Sequence, residues 1–333
     1  MVTYKQIQAS NALINDANAP RVAVFVGGTS GIGKITVHAL VGTGASLRIY
    51  LVGRRSSEER TRAFIQELRT INPNADVVWT EAEVALLAET KRVCEIIKSK
   101  ESHIDLLFLT TGYAPFGARK ETAEGVEITQ SLAYYTRMLF VLLLLPLLNR
   151  AEAPRVVSVL GGGLERTTSI NVNDPDLKQP GSFGAMSAQP QYLALNTIFL
   201  DKLATENPNV TFIHSWPGWV NTGNVWRGLD PNQSILSWAI WLFLEPLIRL
   251  CSIRDEEAGQ RHLFSCTSGA FGGRGTAWLG KVGVSTLGEP TRGLFLVNYK
   301  CDCTPNAKVL PLLREKATTK VWDHTQALLG PYM

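Results

Sequence analysis

The stretch VFVGGTSGIGK, residues 24–34, places Gly27, Gly31 and Gly33 directly after an apolar run and ahead of an amphipathic one. A short apolar run that ends in glycines and gives way to helical periodicity reads as strand, tight turn and helix. Glycine lets the backbone turn sharply and come close to a pyrophosphate. The unpaired N–H groups at the start of the helix then face its charge. The spacing alone is weak evidence; its position between a strand and a helix is what predicts a dinucleotide site. Thr29, Ser30 and Ile32 complete the predicted phosphate cradle.

The same alternation continues along the chain. Strands are predicted at 21–27, 46–53, 76–80, 104–110, 155–160, 210–215 and 293–298, and helices at 31–43, 57–71, 86–100, 122–150, 187–206 and 256–266. Strands that read as unbroken apolar runs, alternating with helices, imply a parallel sheet covered on both faces. Right-handed crossovers would wind it into an α/β, Rossmann-type, doubly wound sheet of about seven strands. We read 1–333 as one domain, with an extension over 1–20, an insertion over 219–255 after the sixth strand and a helical tail over 300–333.

Composition excludes several classes. With 45% hydrophobic and 19% charged residues the chain is globular, and its formal charge of +4 is mild. "GRRSSEERTR" mixes acid with base, so no nucleic-acid surface is expected. Cys94, Cys251, Cys266, Cys301 and Cys303 have no framework spacing, and the lone Cys-x-Cys has no second ligand pair, so no metal is expected. The first sixteen residues are too polar for a signal peptide, and a cytoplasmic setting is the expectation. The apolar run 138–148 is too short to span a bilayer and reads as a core helix, a candidate subunit contact. "SILSWAIWLFLEPLIRLC", 234–251, is interrupted by Glu245, Pro246 and Arg249. It reads as a lid over an apolar substrate pocket, suited to touch a membrane surface without crossing it.

The end of the second strand addresses the choice of nucleotide. An acidic residue there would accept hydrogen bonds from the adenosine ribose, and none is present; Arg54, Arg55 and Ser56 follow instead. Guanidinium groups suit a 2′-phosphate through charge-assisted, often bidentate bonds, which favours NADP(H) over NAD(H). For Arg55 a solvated position at a helix start remains open.

The glycine spacing, the strand-end arginine and "SWPGWVNT" together resemble the short-chain dehydrogenase/reductase superfamily, over roughly residues 20–300. The N-terminal extension and the tail "REKATTKVWDHT" look most like a divergent fungal branch associated with secondary metabolism. The resemblance implies that Pro217, Gly218 and Thr222 line a nicotinamide, and that Glu83 stands where the family commonly has an adenine-contacting Asp. Gly112 is the kept glycine after the fourth strand, while Leu109 and Thr110 replace the family's two asparagines.

The family's catalysis rests on Asn, Ser, Tyr and Lys: tyrosine donates a proton, lysine lowers its pKa, serine orients substrate and asparagine supports a relay water. Carried onto this chain without gaps, those positions fall on Ala133, Gly161, Gln189 and Leu193. All four departures put proton transfer in doubt. Tyr192 lies about one turn beyond the expected tyrosine and some 60° around the helix. Its partner in a shifted register would be Asn196, which carries no charge to lower a tyrosine pKa. Tyr192 is therefore a weak catalytic candidate, and a packing role is the plainer reading. Tyr113, Thr111, Tyr134 and Tyr135 are candidate substrate contacts, though residues of this kind are more often core, and His214 reads as a strand residue facing a neighbour. No Gly-x-Ser-x-Gly elbow supports a hydrolase.

The expectation is an NADP(H)-dependent oxidoreductase acting on the carbonyl or hydroxyl of a bulky apolar secondary metabolite, with a homo-oligomer as a candidate assembly. The alternatives are a non-redox isomerase or cyclase on the same scaffold, and a nucleotide-binding pseudoenzyme. Cofactor turnover separates the first reading from the other two.

Overall fold

Val22, Val24 and Val26 pack into one apolar core while Ala23 and Phe25, between them in sequence, pack into another. A strand whose two sides both meet apolar neighbours lies inside a sheet with a layer on each face. The computed structural model describes residues 1–223 and 252–333. In chain order the elements are α1 Tyr4–Asn11, β1 Val22–Val26, α2 Gly31–Val41, β2 Leu47–Gly53, α3 Glu58–Ile71, β3 Ala75–Glu81, α4 Leu87–Lys100 and β4 Leu106–Leu109. They continue with α5 Ile128–Leu148, β5 Arg155–Val159, α6 Ala185–Glu206, β6 Thr211–Ser215, α7 Asp255–Thr267, β7 Leu294–Val297 and α8 Leu310–Leu329.

The seven strands pair in the order β3-β2-β1-β4-β5-β6-β7, all parallel. The order reverses between β1 and β4, and a crevice opens at such a switch point, at the carboxyl ends of the strands. The expected strands and helices are therefore present, with a few differences. The helix expected from 122 begins at Ile128, because residues 122–126 close a turn through Thr122 N–H and the Val126 carbonyl, 2.7 Å apart. Length does not separate this helix from a membrane span: Ile128–Leu148 runs 21 residues, with a mean hydropathy of 1.7 over its most apolar window. Burial does, since 78% of that window is enclosed by the fold.

The N-terminal extension contains a helix that sequence periodicity did not mark. Thr3 and Gln6 cap α1 reciprocally, and Asn11 Nδ2 donates to the Gln260 carbonyl of α7 at 2.8 Å. Arg155, buried on β5, donates to the carbonyls of Ser265, Ser268, Phe271 and Arg274, which fastens the exit of α7 to the sheet. In the tail, Trp322 of α8 stacks on Phe199 at 4.9 Å and the Tyr134 hydroxyl meets Thr325 at 2.6 Å. The insertion after β6 leaves and returns side by side, with Ile253 N–H donating to the Trp219 carbonyl at 2.8 Å. The proposed lid at 234–251 lies outside the described residues.

His262 of α7 is buried edge-on to Phe108, its Nδ1 2.7 Å from the Ala258 carbonyl, and its Nε2 has no partner among the described residues. Burial pushes its pKa down to about 4. The unfolded chain, with histidine near ~6.5, therefore binds more protons as pH falls below that value. Stability is full above about pH 6.5 and drains toward pH 4, by up to roughly 3 kcal/mol from this group. His262→Phe should flatten the acid limb of Tm against pH in calorimetry. An equally steep limb in the variant would refute a neutral buried imidazole.

Candidate functional site

The turn after β1 is shaped by contacts that leave no space for side chains. Gly27 has φ +96°, and a Cβ on Gly33 would lie 2.4 Å from the Gly27 carbonyl oxygen. Gly33 thus sits beneath the loop rather than in its opening, letting α2 begin against the strand end. Ser30 is the N-cap of α2 in extended conformation, so the first-turn N–H groups face out over the β1 carboxyl end. Across the opening stands Thr222, whose Cβ would be 2.9 Å from a side chain at Gly31.

This opening belongs to a cleft of ≈ 840 Å³. Of the residues expected to bind a cofactor, Gly27, Thr29, Ser30, Gly31, Ile32, Arg54, Glu83, Gly112, Pro217 and Thr222 line it. Gly33 and Gly218 do not; Gly218 packs against Tyr299, where a Cβ would come within 2.8 Å. Val84, Ala85 and Leu86 form an apolar shelf beside Glu83. On the β2 side, Ser57 Oγ donates to the Arg54 carbonyl at 2.7 Å and rounds the chain into the start of α3. That turn brings Arg60 into the cleft wall with Arg54, whereas Arg55 does not line it. Among the described residues neither Arg54 nor Arg60 has an ion pair.

At the inner end, residues 131–135 of α5 form a single π-turn, and Ala133 within it lines the cleft. Asn196 Nδ2 donates to the Ala133 carbonyl at 2.8 Å, and Ser158 Oγ donates to Asn196 Oδ1 at 3.1 Å. Gln189 lines the cleft with Ala185 and Met186. Gly161 and Leu193 pack on each other instead, 3.4 Å separating a Cβ at 161 from the leucine. Of the four positions, Ala133 and Gln189 are therefore at the cleft and none carries an ionisable group.

Tyr192 lies under α5, outside the lining, with its hydroxyl 3.0 Å from Glu127 Oε2 and 3.1 Å from Thr129 Oγ1. Burial above all, and then Glu127, raises its pKa. Tyr135 bonds Asp176 and His324, and Tyr134 faces the tail, so both serve the scaffold. His214 is buried on β6, its Nδ1 2.7 Å from Thr197 Oγ1 and its Nε2 accepting from Gly161 N–H at 3.2 Å. Burial, with a further push from Arg137, lowers its pKa to about 3. Thr111 lines the cleft and donates to the Leu132 carbonyl at 2.9 Å. Tyr113, half-buried, is the phenol among the described lining residues; burial and then Glu127 raise its pKa. Among the described residues no group of three or more His, Cys, Asp or Glu could hold a metal.

Sequence reasoning missed Arg60 and Arg137, both in the lining. Arg60 sat in a mixed-charge run without a signal. Arg137 had one, as the charged residue in the otherwise uncharged stretch 136–148.

A family model described as short chain dehydrogenase matches residues 21–161. The chain is 37% identical to Oxidoreductase AN1596 of Emericella nidulans, over 99% of this chain and 98% of that protein. It is 28% identical to Short-chain dehydrogenase/reductase SAT2 of Stachybotrys chartarum, over 91% and 90%. The structure of NADPH-bound carbonyl reductase from chicken fatty liver superposes with a TM-score of 0.52 at 16% identity, covering 86% of this chain and 98% of that one, a likeness of fold.

Tyr192→Phe removes the hydroxyl and keeps the ring. Losing a buried bond to a carboxyl group should lower stability by roughly 1.5–3 kcal/mol in urea titrations. Turnover at saturating cofactor should fall less than about tenfold, against the ~10²–10⁴ of a lost general acid. A hundredfold loss at unchanged nucleotide affinity would instead make Tyr192 the proton donor and shift the register of the alignment.

Proposed function

The chain belongs to the short-chain dehydrogenase/reductase superfamily, and on that footing we propose that it is an NADP(H)-dependent oxidoreductase acting on the carbonyl or hydroxyl of a bulky apolar secondary metabolite. The observation that carries the cofactor choice is the pair Arg54 and Arg60, two guanidinium groups on one wall of the cleft at the end of β2, without anionic partners among the described residues. A ribose 2′-phosphate would supply the missing charge. The loop is compatible with a pyrophosphate: Gly31 keeps open the gap to Thr222 that a Cβ would fill. The N-terminus of α2 offers the N–H groups, and Val84 to Leu86 with Glu83 offer a seat for the adenine. When bound, the nicotinamide would supply or accept the hydride.

The rim of the cleft supports this substrate class. Pro115, Phe116 and Met186 line the cleft, and Phe116 is 38% and Met186 91% exposed. Exposed thioether and aromatic groups at a cleft rim favour a large, apolar ligand over a small polar one. The oxidoreductase names of the fungal relatives fit this reading. The four replaced catalytic positions favour a second reading, an isomerase or cyclase that keeps the nucleotide without turning it over.

Fluorescence titration should find NADPH bound more tightly than NADH. Arg54→Ala and Arg60→Ala should each weaken NADPH about tenfold to a hundredfold, from roughly 1.5–3 kcal/mol per charge-assisted bond, and leave NADH unchanged. Equal affinities in the unmutated protein would overturn the assignment.

A further inference from the structure

Arg137 lies one turn beyond Ala133 on α5 and is 1% exposed. Its Nε donates to the Leu132 carbonyl at 3.3 Å, and its Nη1 to Ser158 Oγ and the Val159 carbonyl at 2.9 Å each. Nη2 donates to the Thr111 carbonyl. Every one of these acceptors is neutral, and among the described residues Arg137 has no carboxylate partner. A buried cation without a counter-charge costs several kcal/mol, a cost found where the charge has another use. Burial pushes its pKa down to about 9, which leaves it a cation at neutral pH.

Four bonds occupy four of the five guanidinium N–H groups. The fifth is on Nη2 and has no acceptor among the described residues. Nη2 lies beside Gly112, where a Cβ would be 3.7 Å away, and Gly112, Ala133, Leu160 and Arg137 all line the cleft. The bonds to β5 and to the Thr111 carbonyl keep the guanidinium from swinging toward solvent. Asn196 caps the Ala133 carbonyl nearby, so that acceptor does not draw on the free N–H.

We propose that Arg137 forms an oxyanion subsite at the inner end of the cleft, selecting a substrate with an acidic oxygen: a phenolate, an enolate or a carboxylate. The proposal rests on reading this cleft as the substrate site. A neutral ligand there gains one ordinary hydrogen bond. An anionic oxygen gains a charge-assisted bond and also neutralises the buried charge. The same field favours the deprotonated form of a substrate hydroxyl, which suits a site where Gln189 and Leu193 stand at the tyrosine and lysine positions.

The test uses 4-nitrophenol, whose phenolate absorbs visible light and whose phenol does not. It is titrated into full-length protein carrying Arg54→Ala and Arg60→Ala, so that the outer arginines contribute nothing whatever nucleotide they serve. At a pH where free probe is mixed, the bound probe should be enriched in phenolate tenfold or more. Arg137→Met should abolish the enrichment and Arg137→Lys retain part of it. Should Arg137→Met fail to fold by circular dichroism, Ala133→Asp sets a carboxylate beside the intact guanidinium and should abolish it instead. Probe that binds with the solution ratio of the two forms, that does not bind at millimolar concentration, or that stays enriched in the variants would overturn the subsite. NADPH titration of the unmutated protein tests the cofactor assignment separately.

Discussion

The approach of Gly33 to the Gly27 carbonyl is the contact on which the rest of the site depends. A side chain at 33 would lie 2.4 Å from that oxygen, far inside contact distance, so α2 would have to lift off the strand end. Gly27 is confined in turn by Thr110, whose Oγ1 would be 2.7 Å from a Cβ there. Helix start, first strand and fourth strand thus meet at one point. That point is also where the strand order reverses, with β2 on one side of β1 and β4 on the other. The crevice left by the reversal and the N–H groups at the start of α2 therefore fall together, as the physics of anion binding at helix termini requires.

Since absent side chains form the turn, the charge that complements a ligand comes from neighbouring elements. Arg54 and Arg60 stand on the wall built by β2 and the start of α3, and Arg137 stands on the floor built by α5. The outer pair is solvated and screened; the inner cation is buried among carbonyls in a low-dielectric setting. One cleft therefore holds two cationic regions of different strength, with Glu83 as the acid among its described lining residues.

The strands were legible because β-branched and apolar runs bounded by glycine or polar residues carry their explanation locally, and the glycines of 27–33 were legible for the same reason. The position of Arg60 was not. An arginine in the first turn of a helix looks the same in sequence whether it faces water or a ligand. Here the short turn at Arg55–Ser57 sets its direction. Tyr192 shows the reverse limit. Gln189, aligned with the family's tyrosine, lines the cleft, but nothing near residue 192 announced that its hydroxyl would bond Glu127, 65 positions away. Helix α1 escaped notice because it is short and polar; its stability comes from its cap and from α7, not from an apolar stripe of its own.

The positions that align with the family's serine and lysine bear on Arg137 directly. A lysine at 193 and a serine at 161 would bring a charge and a hydroxyl to the inner wall, and water with them. Leu193 and Gly161 instead pack on each other. Such an apolar contact lowers the local dielectric, and a fixed charge reaches further in those surroundings than in water. Burial above all, and then the Arg137 guanidinium, disfavours the charged form of His214 next to this wall. On the proposed reading the inner end of the cleft has electrostatics of another kind, in which one cation held by four neutral acceptors would favour the charged form of a ligand oxygen.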